Sequence, residues 1–312
     1  MKSLLATDYD ESKLVFPVGV QPKIDGVRGQ TSLGYLTGRS LKKHKNLYTT
    51  EFYSRAEYVD LDGELAAGPE THPDLCRMTT SAVGTIKGEP FTYWHIFDTL
   101  NKHVVNAPYI DRYHWLVDYL ESQHSRSLCL NAKLVPMVIV QNLEQLNAAH
   151  DLNMQSGYEG TILRRLNGRY KEGRSTVNEG LLLRIKDFID AEFLISGLTE
   201  GDTNENEAQI NELGQTFRSS HQENKVPNGM IGSFQGYVIG DVKDPQTGKI
   251  LLVDGQPVTV SPGKMQHDKR KEGFENPQLY LQKIGKFKFF PKGHKDKPRF
   301  PIFQCLRSEE DM

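Results

Sequence analysis

The sequence predicts an α+β protein in two parts, and three features lead to that expectation. Strand-like runs dominate the first half, and helical patterns interrupt them irregularly, which disfavours a doubly wound parallel sheet. A polar segment with few large apolar residues follows soon after residue 188. Short strands separated by glycine and proline then resume, as is typical of a small β-barrel. We therefore expect a first domain at residues 1–188 and a second at 189–312.

The elements of each part are predicted from apolar periodicity and from capping residues. The strands expected in the first part are "FPVGVQ", "VRGQTSL", "YVDLDGEL", "FTYWHIFD", "CLNAKLVPMVIV", "EGTILRR" and "LLLRIKDF". Its helices are "DRYHWLVDYLESQ", with Asp111 as the expected N-cap, and "NLEQLNAAHDLNM", with Asn142 as the expected N-cap. In the second part, strands are expected in "IGSFQGYVIG", "KILLVDG" and "PVTVSPG".

Composition excludes several classes of protein. The formal net charge of the 312 residues is −2, so any nucleic-acid surface must be a local patch. The three cysteines are scattered and form no Cys-x-x-Cys pair, which disfavours a zinc site and indicates a reducing compartment. The N-terminus shows no signal peptide or long apolar run. We expect a cytoplasmic protein, in the host cytoplasm if it is viral, with no membrane partner.

The stretch "QPKIDGVRG", residues 21–29, sets a cation beside a carboxylate and a glycine. One interpretation is a surface turn, because Asp-Gly is a turn signal. The other is that Lys23 is a nucleophile prepared by its neighbours. A lysine amine attacks only when it is unprotonated, and nearby cations favour that form.

Two further strands carry charges on one face. In "YVDLDGEL", alternation places Asp60, Asp62 and Glu64 together, and such like charges need a positive partner such as a divalent metal or a lysine-rich site. In "LLLRIKDF", Arg184 and Lys186 point the same way, as would suit phosphate oxygens. A solvated charged face is the alternative for either strand.

Glu159 in "YEGTILRR" and Phe97 in "YWHIFDTL" are weak signals when each is taken alone. The glutamate could be a surface residue, and the phenylalanine could pack in the core or stack on a nucleobase. Together, the ordered set describes a site where a lysine attacks a nucleoside triphosphate. Cations there would stabilise charge on the α-phosphate and on the leaving pyrophosphate.

The order Lys-x-Asp-Gly-x-Arg, Asp-Gly-Glu, Phe-Asp, Glu-Gly and a paired basic strand resembles the covalent nucleotidyltransferases. Within them it is most similar to the ATP-dependent DNA ligases of the minimal viral and phage type, from Lys23 through "RFPIFQCLR". The resemblance implies an adenylation domain with antiparallel sheets and flanking helices, followed by an OB-fold β-barrel. It also implies a monomer that uses ATP and Mg²⁺ (or Mn²⁺) to seal 5′-phosphate/3′-hydroxyl nicks in duplex DNA.

The resemblance also implies a role for each matching residue. Lys23 would form the phosphoramidate with AMP, and Asp25 and Lys186 would support catalysis. Contacts to ATP or AMP are implied for Gln21 at the adenine edge, Arg28 at the ribose, Glu64, Phe97 stacked on adenine, and Arg184 and Lys186 at the phosphate. The metal is implied at Glu64 and Glu159, the nick 5′-phosphate at Arg39, and a part in self-adenylation at Arg307.

Two departures from the family pattern stand out. The first basic residue of the paired strand is Arg184 where lysine is usual, and arginine is a planar fork rather than a point charge. At the C-terminus, Arg307 is followed by Ser308 and acidic residues rather than by Asp-Lys. Lys295 or Lys297 could substitute for the missing lysine.

DNA contacts are expected in local basic patches. Residues 281–300 hold seven Lys or Arg against one Asp, with interleaved aromatics, and include Lys286 and Lys288; "RRLNGRYKEGR" is a second patch. The polar segment 203–228 is either a disordered loop or, by resemblance, an insertion that closes on DNA as a latch through Arg218 and Lys225.

Two other functions stay open at this point. An RNA ligase or an RNA-capping guanylyltransferase would share the lysine chemistry, and ATP against GTP consumption would distinguish them. A non-catalytic OB protein with a degenerate site is the alternative from another class. The NAD-dependent ligases are disfavoured because 22 residues precede Lys23 and no zinc-binding cysteine set is present.

Overall fold

The computed structural model describes residues 1–245, 248–291 and 298–307. The chain divides into two compact units, Met1–Lys186 and Asp187–Met312. The sequence prediction placed the boundary two residues later, between 188 and 189. Within the described ranges, no helix has both the length and the apolar character needed to cross a membrane.

The first unit combines short helices with mixed sheets. Its strands are β1 Leu4–Leu5, β2 Thr7–Asp8, β3 Val18–Lys23, β4 Val27–Gln30, β5 Leu61–Ala66, β6 Tyr93–Thr99, β7 Ala132–Leu134, β8 Val138–Val140, β9 Gly160–Arg165, β10 Gly173–Arg174 and β11 Leu182–Ile185. Its α-helices are α1 Leu47–Phe52, α2 Leu75–Gly84, α3 Tyr109–Ser125 and α4 Leu143–Gln155.

Two sheets organise this unit. Sheet I has the order β2-β11-β9-β3-β8 and is antiparallel except where β2 runs parallel to β11. Sheet II has the order β4-β5-β6-β7 and is antiparallel except for the β6–β7 pair. Residues 24–26 connect β3 to β4 and so carry the chain from sheet I to sheet II. The motif around Lys23 therefore spans both sheets within a few residues.

Each sheet packs its apolar residues against a helix. Sheet II buries Leu65, Trp94 and Ile96 with Leu116 and Leu120 of α3. Sheet I buries Val18, Val20, Leu163 and Leu183 with Leu146 of α4. A smaller cluster of Ile24, Ala66, Leu75 and Val135 packs against Phe97. This small cluster places an apolar floor beside the link between the sheets.

One of the two predicted helix starts is correct. Asn142 caps α4, because its side chain accepts a hydrogen bond from the Gln145 amide at 2.9 Å. The Asp111 cap is wrong: α3 begins at Tyr109 after Pro108, so Asp111 lies in the first turn. Helix α2 was not predicted, because Thr79 occupies the middle of its buried face between Leu75 and Val83 and hides the apolar period.

The acidic strand also differs from the prediction. β5 begins at Leu61, and Asp60 lies in the preceding turn with φ 61°. The Asp60 carbonyl accepts hydrogen bonds from the Leu100 amide at 2.7 Å and the Thr99 hydroxyl at 3.0 Å. Only Asp62 and Glu64 belong to the strand, so the predicted face of three carboxylates has two.

The second unit is built on one large sheet. Its strands are β12 Ile189–Asn204, β13 Ala208–Ile210, β14 Thr216–Arg218, β15 Lys225–Ile239, β16 Val242–Lys243, β17 Ile250–Leu252, β18 Pro257–Val260, β19 Ile284–Phe290 and β20 Arg299–Leu306, with helix α5 at His267–Glu275. The sheet order is β18-β15-β12-β19-β20. Its buried face includes Phe193, Phe234 and Phe287. A parallel bridge joins Ser261, after β18, to Ile302 in β20.

Residues 203–228 form a β-ribbon rather than an irregular loop. The ends of β12 and β15 pair, with Asn204 opposite Lys225, and the hairpin of β13 and β14 lies between them. Asn206 is 6% exposed and ties the ribbon together. Its side-chain nitrogen donates to the carbonyls of Ser219 at 3.1 Å and His221 at 2.8 Å. The polar composition of the segment therefore supplies hydrogen bonds instead of apolar contacts.

Three motif glycines mark close approaches between strands. A Cβ added at Gly26 would overlap the Leu65 carbonyl oxygen, and one at Gly63 would overlap the His95 carbonyl oxygen. A Cβ at Gly160 would overlap the Ile185 carbonyl oxygen. None of the three has a positive φ. Their role is to allow neighbouring backbones to lie close together, not to form a left-handed turn.

We predict that Gly26→Ala destabilises the first unit by about 1–3 kcal/mol, because the added carbon meets backbone atoms that cannot rotate away. Gly84→Ala is the matched control, since nothing lies within 4 Å of its added carbon. Urea unfolding monitored by tryptophan fluorescence measures both. Equal midpoints for the two variants would show that β5 shifts without cost.

Candidate active site

A shared carboxylate joins the two lysines that the sequence singled out. Glu159 Oε2 pairs with Lys23 Nζ, and Glu159 Oε1 pairs with Lys186 Nζ. Lys23 ends β3, Glu159 precedes β9, and Lys186 follows β11, in a sheet where β9 lies between the other two strands. The order of strands therefore places the glutamate between its lysines. The Glu159 side chain is 6% exposed, so the pairs are largely shielded from water.

The protonation of Glu159 follows from these neighbours. Burial alone raises the pKa of a carboxyl group, but the charges and hydrogen bonds of Lys23 and Lys186 outweigh it and lower the pKa of Glu159 to about 2. Glu159 is therefore an anion at neutral pH. It holds both ammonium groups within reach of one another.

Sheet II supplies an arginine fixed by two hydrogen bonds. Arg28 on β4 donates through Nε to Asp62 Oδ1 and through Nη2 to Asp62 Oδ2, each at 2.6 Å. Burial alone would lower the pKa of Arg28, but Asp62 raises it above its usual range. The Arg28 guanidinium lies 4.6 Å from the centre of the Phe97 ring. Phe97 is thus part of the pocket wall, between the apolar floor and a cation.

Glu64 lies opposite Arg28 in the β4–β5 register. Burial raises the pKa of Glu64 to about 7, with Glu159 and Asp25 adding to the rise and Lys23 and Arg28 opposing it. The cost of burying the ionised carboxylate exceeds the stabilisation that the nearby cations give to it. This carboxyl group therefore keeps its proton to a higher pH than an exposed glutamate does, and an added cation would favour its ionised form.

Gln21, on β3, lies deep in the pocket and is 1% exposed. Its Oε1 accepts from Arg164 Nε at 3.2 Å, and its Nε2 donates to the Val135 carbonyl at 3.2 Å. Arg164 also donates to Asp98 Oδ2 at 3.1 Å and lies 5.2 Å from the centre of the Phe97 ring. A buried polar network therefore backs this side of the pocket.

The N-terminal strap, residues 4–8, forms another wall. Leu5 and Ala6 line the pocket, and β1 and β2 run parallel to β10 and β11. Oxygen atoms of the strap accept from three arginines: Leu4 O from Arg28 at 3.3 Å, Ala6 O from Arg174, and Asp8 Oδ1 from Arg184 at 2.6 Å. The strap thereby fixes cations that face the cavity.

The pocket brings together most of the residues predicted to contact the nucleotide. It is lined by Gln21, Lys23, Arg28, Arg39, Glu64, Phe97 and Arg184, together with Arg164 and Arg174. Arg39 lies in an exposed turn at the rim. Asp25 follows Lys23 in the link between the sheets, close enough to act on the Glu64 charge. One cavity therefore joins the candidate nucleophile, a ring on which a base can stack and five arginines.

The predicted residues of the second unit lie on its own surface. Lys286 on β19 pairs with Asp190 at 2.9 Å, and the next outward residue, Lys288, lies 4.4 Å from the centre of the Phe188 ring. Arg218, in the β-ribbon, donates to the Asn206 carbonyl, and Lys225 begins β15. Arg307 pairs with Glu192. Lys295, Lys297 and Ser308 lie outside the described residues.

The residues fit a magnesium ion held in part by a substrate. No cluster of three or more His, Cys, Asp or Glu able to hold a metal occurs in the described part of the chain. Mg²⁺ is commonly bound by one or two carboxylates together with phosphates and water. Glu64 and Glu159 are such a pair of oxygen donors, and the charge of Glu159 acts on the pKa of Glu64.

Similarity to known proteins is found by comparison of structures and not by comparison with family models or curated proteins. No family model and no curated protein matches the chain. A solved Chlorella virus DNA ligase-adenylate matches it with 27% identity and a TM-score of 0.53, over 99% of both chains. The chain resembles the minimal ATP-dependent DNA ligases. The resemblance predicted from its motifs is thus confirmed.

More distant structures share the fold of this ligase-like chain. A Lig E DNA ligase is 20% identical, with a TM-score of 0.69 over 98% of this chain and 99% of that one. The ATP-dependent DNA ligase of bacteriophage T7, solved with ATP, is 15% identical, with a TM-score of 0.50 and 98% of each chain covered. The predicted α+β class agrees with these matches.

Two arginines in the pocket of this ligase-like chain were not predicted as pocket residues from the sequence. Arg164 and Arg174 fell within "RRLNGRYKEGR", which the sequence analysis assigned to DNA contacts as a basic patch. The structure places both in the pocket wall and pairs Lys171 of the same patch with Glu179 at 2.6 Å. The alternation in "EGTILRR" could have indicated that Arg164 is a pocket residue, because Arg164 shares a face of the strand with Ile162, which also lines the pocket.

We predict that a Glu64→Gln variant becomes more stable relative to the wild type as pH rises. The folded-state pKa of Glu64, about 7, exceeds its ordinary value of 4.5, so the folded state binds this proton more tightly than the unfolded state does. Wild-type stability therefore falls as pH rises from 4.5 to 7, and the glutamine variant lacks this loss. The stability of the variant relative to wild type should rise on the order of 2 kcal/mol across that window.

Urea unfolding in EDTA at pH 4.5, 6 and 8 tests this, with the exposed Glu89→Gln as control. A relative stability of Glu64→Gln that does not change with pH, as expected for the control, would contradict the assignment.

Proposed function

We propose that the protein is an ATP-dependent DNA ligase that seals 5′-phosphate/3′-hydroxyl nicks in duplex DNA through lysyl-AMP and DNA-adenylate. The observation that carries the proposal is the pairing of Lys23 and Lys186 on Glu159 at a pocket that also holds Phe97 and Arg28. The full-length match to a DNA ligase-adenylate supports the same reaction.

In the first step, the Lys23 amine attacks the α-phosphorus of ATP. A nitrogen–phosphorus bond forms, the bond to the pyrophosphate oxygen breaks, and pyrophosphate leaves. Arg184 and Lys186 bind phosphate oxygens and stabilise the negative charge on them. Mg²⁺, held by Glu64 and Glu159, would neutralise charge on the α-phosphate and the leaving group.

The triphosphate and Glu159 compete for the same two ammonium groups. In the described structure both carboxylate oxygens are engaged, and Arg184 is paired with Asp8. ATP binding therefore exchanges carboxylate partners for phosphate partners, which reduces the net gain from bringing charges together. Adenine stacks on Phe97, and Arg28, already fixed by Asp62, contacts the ribose.

Two further transfers complete the reaction. An oxygen of the nick 5′-phosphate, positioned by Arg39, attacks the phosphorus of lysyl-AMP, and Lys23 leaves. The 3′-hydroxyl then attacks the DNA phosphate, a phosphodiester bond forms, and AMP leaves. Lys23 is the nucleophile only in the first of these three steps.

We propose that the second unit is an OB-type domain that binds DNA. The five-stranded sheet supports this, because the bridge from Ser261 to Ile302 brings its two edges together. Lys286 and Lys288 alternate with buried Phe287 and Phe289, so β19 presents cations outward without disturbing the core. A cytoplasmic location and a monomeric state stay predictions.

We predict that Lys23→Ala abolishes AMP labelling and sealing from ATP but still seals a nick supplied already adenylated. The reason is that the amine is the nucleophile only in the first step. Mass spectrometry of the labelled protein and gel analysis of sealed product measure the two activities. Lys87→Ala, an exposed lysine outside the pocket, is the control. Failure of folded Lys23→Ala on the adenylated nick would show that Lys23 also serves the last step.

The same assay identifies the substrate class. DNA or RNA on each side of the nick, with ATP or GTP, distinguishes a DNA ligase from an RNA ligase or a capping enzyme. Efficient sealing of all-RNA nicks alone, or labelling by GTP alone, would overturn the DNA ligase proposal.

We further predict that the β-ribbon acts as a DNA latch. Replacing residues 203–228 by a short Gly-Ser turn should weaken nick binding while AMP labelling of Lys23 is almost unchanged. If Arg218 and Lys225 each neutralise one phosphate, the salt slope of binding should fall by about 0.9 per contact. The double variant Arg218→Gln/Lys225→Gln separates loss of charge from loss of the ribbon. Identical affinities and slopes in all three proteins would leave the ribbon without a role in DNA binding.

A further inference from the structure

The side-chain amide of Gln21 has little hydrogen-bonding capacity left. Its oxygen accepts from Arg164 Nε at 3.2 Å, and the Tyr109 hydroxyl, whose single proton is shared between this oxygen at 3.1 Å and the Phe97 carbonyl at 2.9 Å, lies beside it. One of its two N–H groups donates to the Val135 carbonyl at 3.2 Å. Among the described residues, the second N–H finds no acceptor. Since Gln21 lines the pocket, what it can offer a ligand there is a donor.

This orientation of the amide cannot be reversed at low cost. A turned amide would direct its NH₂ group at Arg164, which carries donors and no acceptor, and its oxygen at the Val135 carbonyl, which is only an acceptor. The Val135 carbonyl already accepts from the Tyr113 hydroxyl at 3.1 Å as well. Burial makes each such mismatch expensive, because no water can replace the lost partner.

Arg164 is itself fixed by a buried ion network. It donates to Asp98 Oδ2 at 3.1 Å, and Arg112 binds the same carboxylate through Nε at 2.8 Å and Nη2 at 3.2 Å. Arg112 also donates to the carbonyls of Ala107 at 2.7 Å and Gly168 at 3.1 Å. The side chains of Asp98, Arg112 and Arg164 are each at most 3% exposed. The guanidinium of Arg164 therefore cannot swing away from Gln21 without leaving Asp98.

We propose that Arg164 is a specificity-determining positioning residue, which locks Gln21 so that the pocket presents an N–H donor to a ring nitrogen of adenine. This inference rests on the proposed function, in which the pocket holds the adenine of ATP. It assigns to Gln21 a contact with an acceptor of the base, N1 or N7. It also states that the Gln21 side chain does not read the 6-amino group, which is itself a donor and needs an acceptor.

The test is equilibrium binding of ATP and base-modified triphosphates to the full chain. The modified bases are 1-deaza-ATP and 7-deaza-ATP, each lacking one ring nitrogen, and purine riboside triphosphate, lacking the 6-amino group. In the wild type, one deaza analogue should bind about three- to tenfold more weakly than ATP, as expected for one lost hydrogen bond. In Gln21→Leu that difference should vanish, while any effect of removing the 6-amino group should stay as in the wild type.

Arg164→Met tests the lock itself, with Arg165→Met on the neighbouring residue as control. Without Arg164, the Gln21 amide can turn. The affinity lost with the deaza analogue should then become smaller, and removal of the 6-amino group should begin to lower the affinity. Arg164→Lys retains a donor and the charge, and should restore the wild-type ratios if the methionine variant proves unstable. A variant that only weakens the fold would lower the affinity for all four nucleotides equally.

Two results would overturn the inference. One is a 6-amino effect in the wild type that disappears in Gln21→Leu, since it would mean that the amide oxygen faces the base. The other is an unchanged set of ratios in folded Arg164→Met. AMP labelling of Lys23 is measured separately. Binding of ATP without labelling contradicts the proposed function, and the affinity ratios still test the role of Arg164. Failure to bind any nucleotide overturns both proposals.

Discussion

One carboxylate that is shared by two lysines organises the first unit. Glu159 can hold Lys23 and Lys186 only because β9 lies between β3 and β11, so the ends of three strands must meet at one place. The group carries one excess positive charge within a largely shielded site, and it is stable only while all three partners remain. The register of sheet I and the close approach of Gly160 to Ile185 make this arrangement possible, and the arrangement determines the charge available to a phosphate.

A second constraint is the passage of the chain between the sheets. Lys23 ends a strand of sheet I and Arg28 lies in the first strand of sheet II, so four residues separate the proposed nucleophile from the proposed ribose ligand. Gly26 lets this link lie against the Leu65 backbone. The stretch that looked like a surface turn is thus the connection that creates the cavity, and its glycine is needed for close packing.

Sequence reasoning found the residues whose chemistry is carried by local spacing. Lys23, Glu64, Phe97, Glu159 and Arg184 stand in ordered motifs, and the predicted helix cap at Asn142 needed only its own turn. Sequence reasoning could not identify the side chains with which these residues and their neighbours pair. Asp62 was expected to face a metal or a lysine, and the cation beside it is Arg28, 34 residues away in sequence. Arg164 and Asn206 looked like surface residues, because nothing local shows that a polar side chain is buried with every hydrogen bond satisfied.

The N-terminal strap has a consequence for how the protein is made. Residues 4–8 are synthesised well before their partners in β10 and β11, which lie more than 160 positions later, at Gly173–Arg174 and Leu182–Ile185. Until those strands emerge, the strap has no parallel neighbour, and Arg174 and Arg184 have not been synthesised. The pocket wall therefore closes only when nearly the whole first unit has been translated, and a chain interrupted earlier carries Lys23 without Arg174 and Arg184.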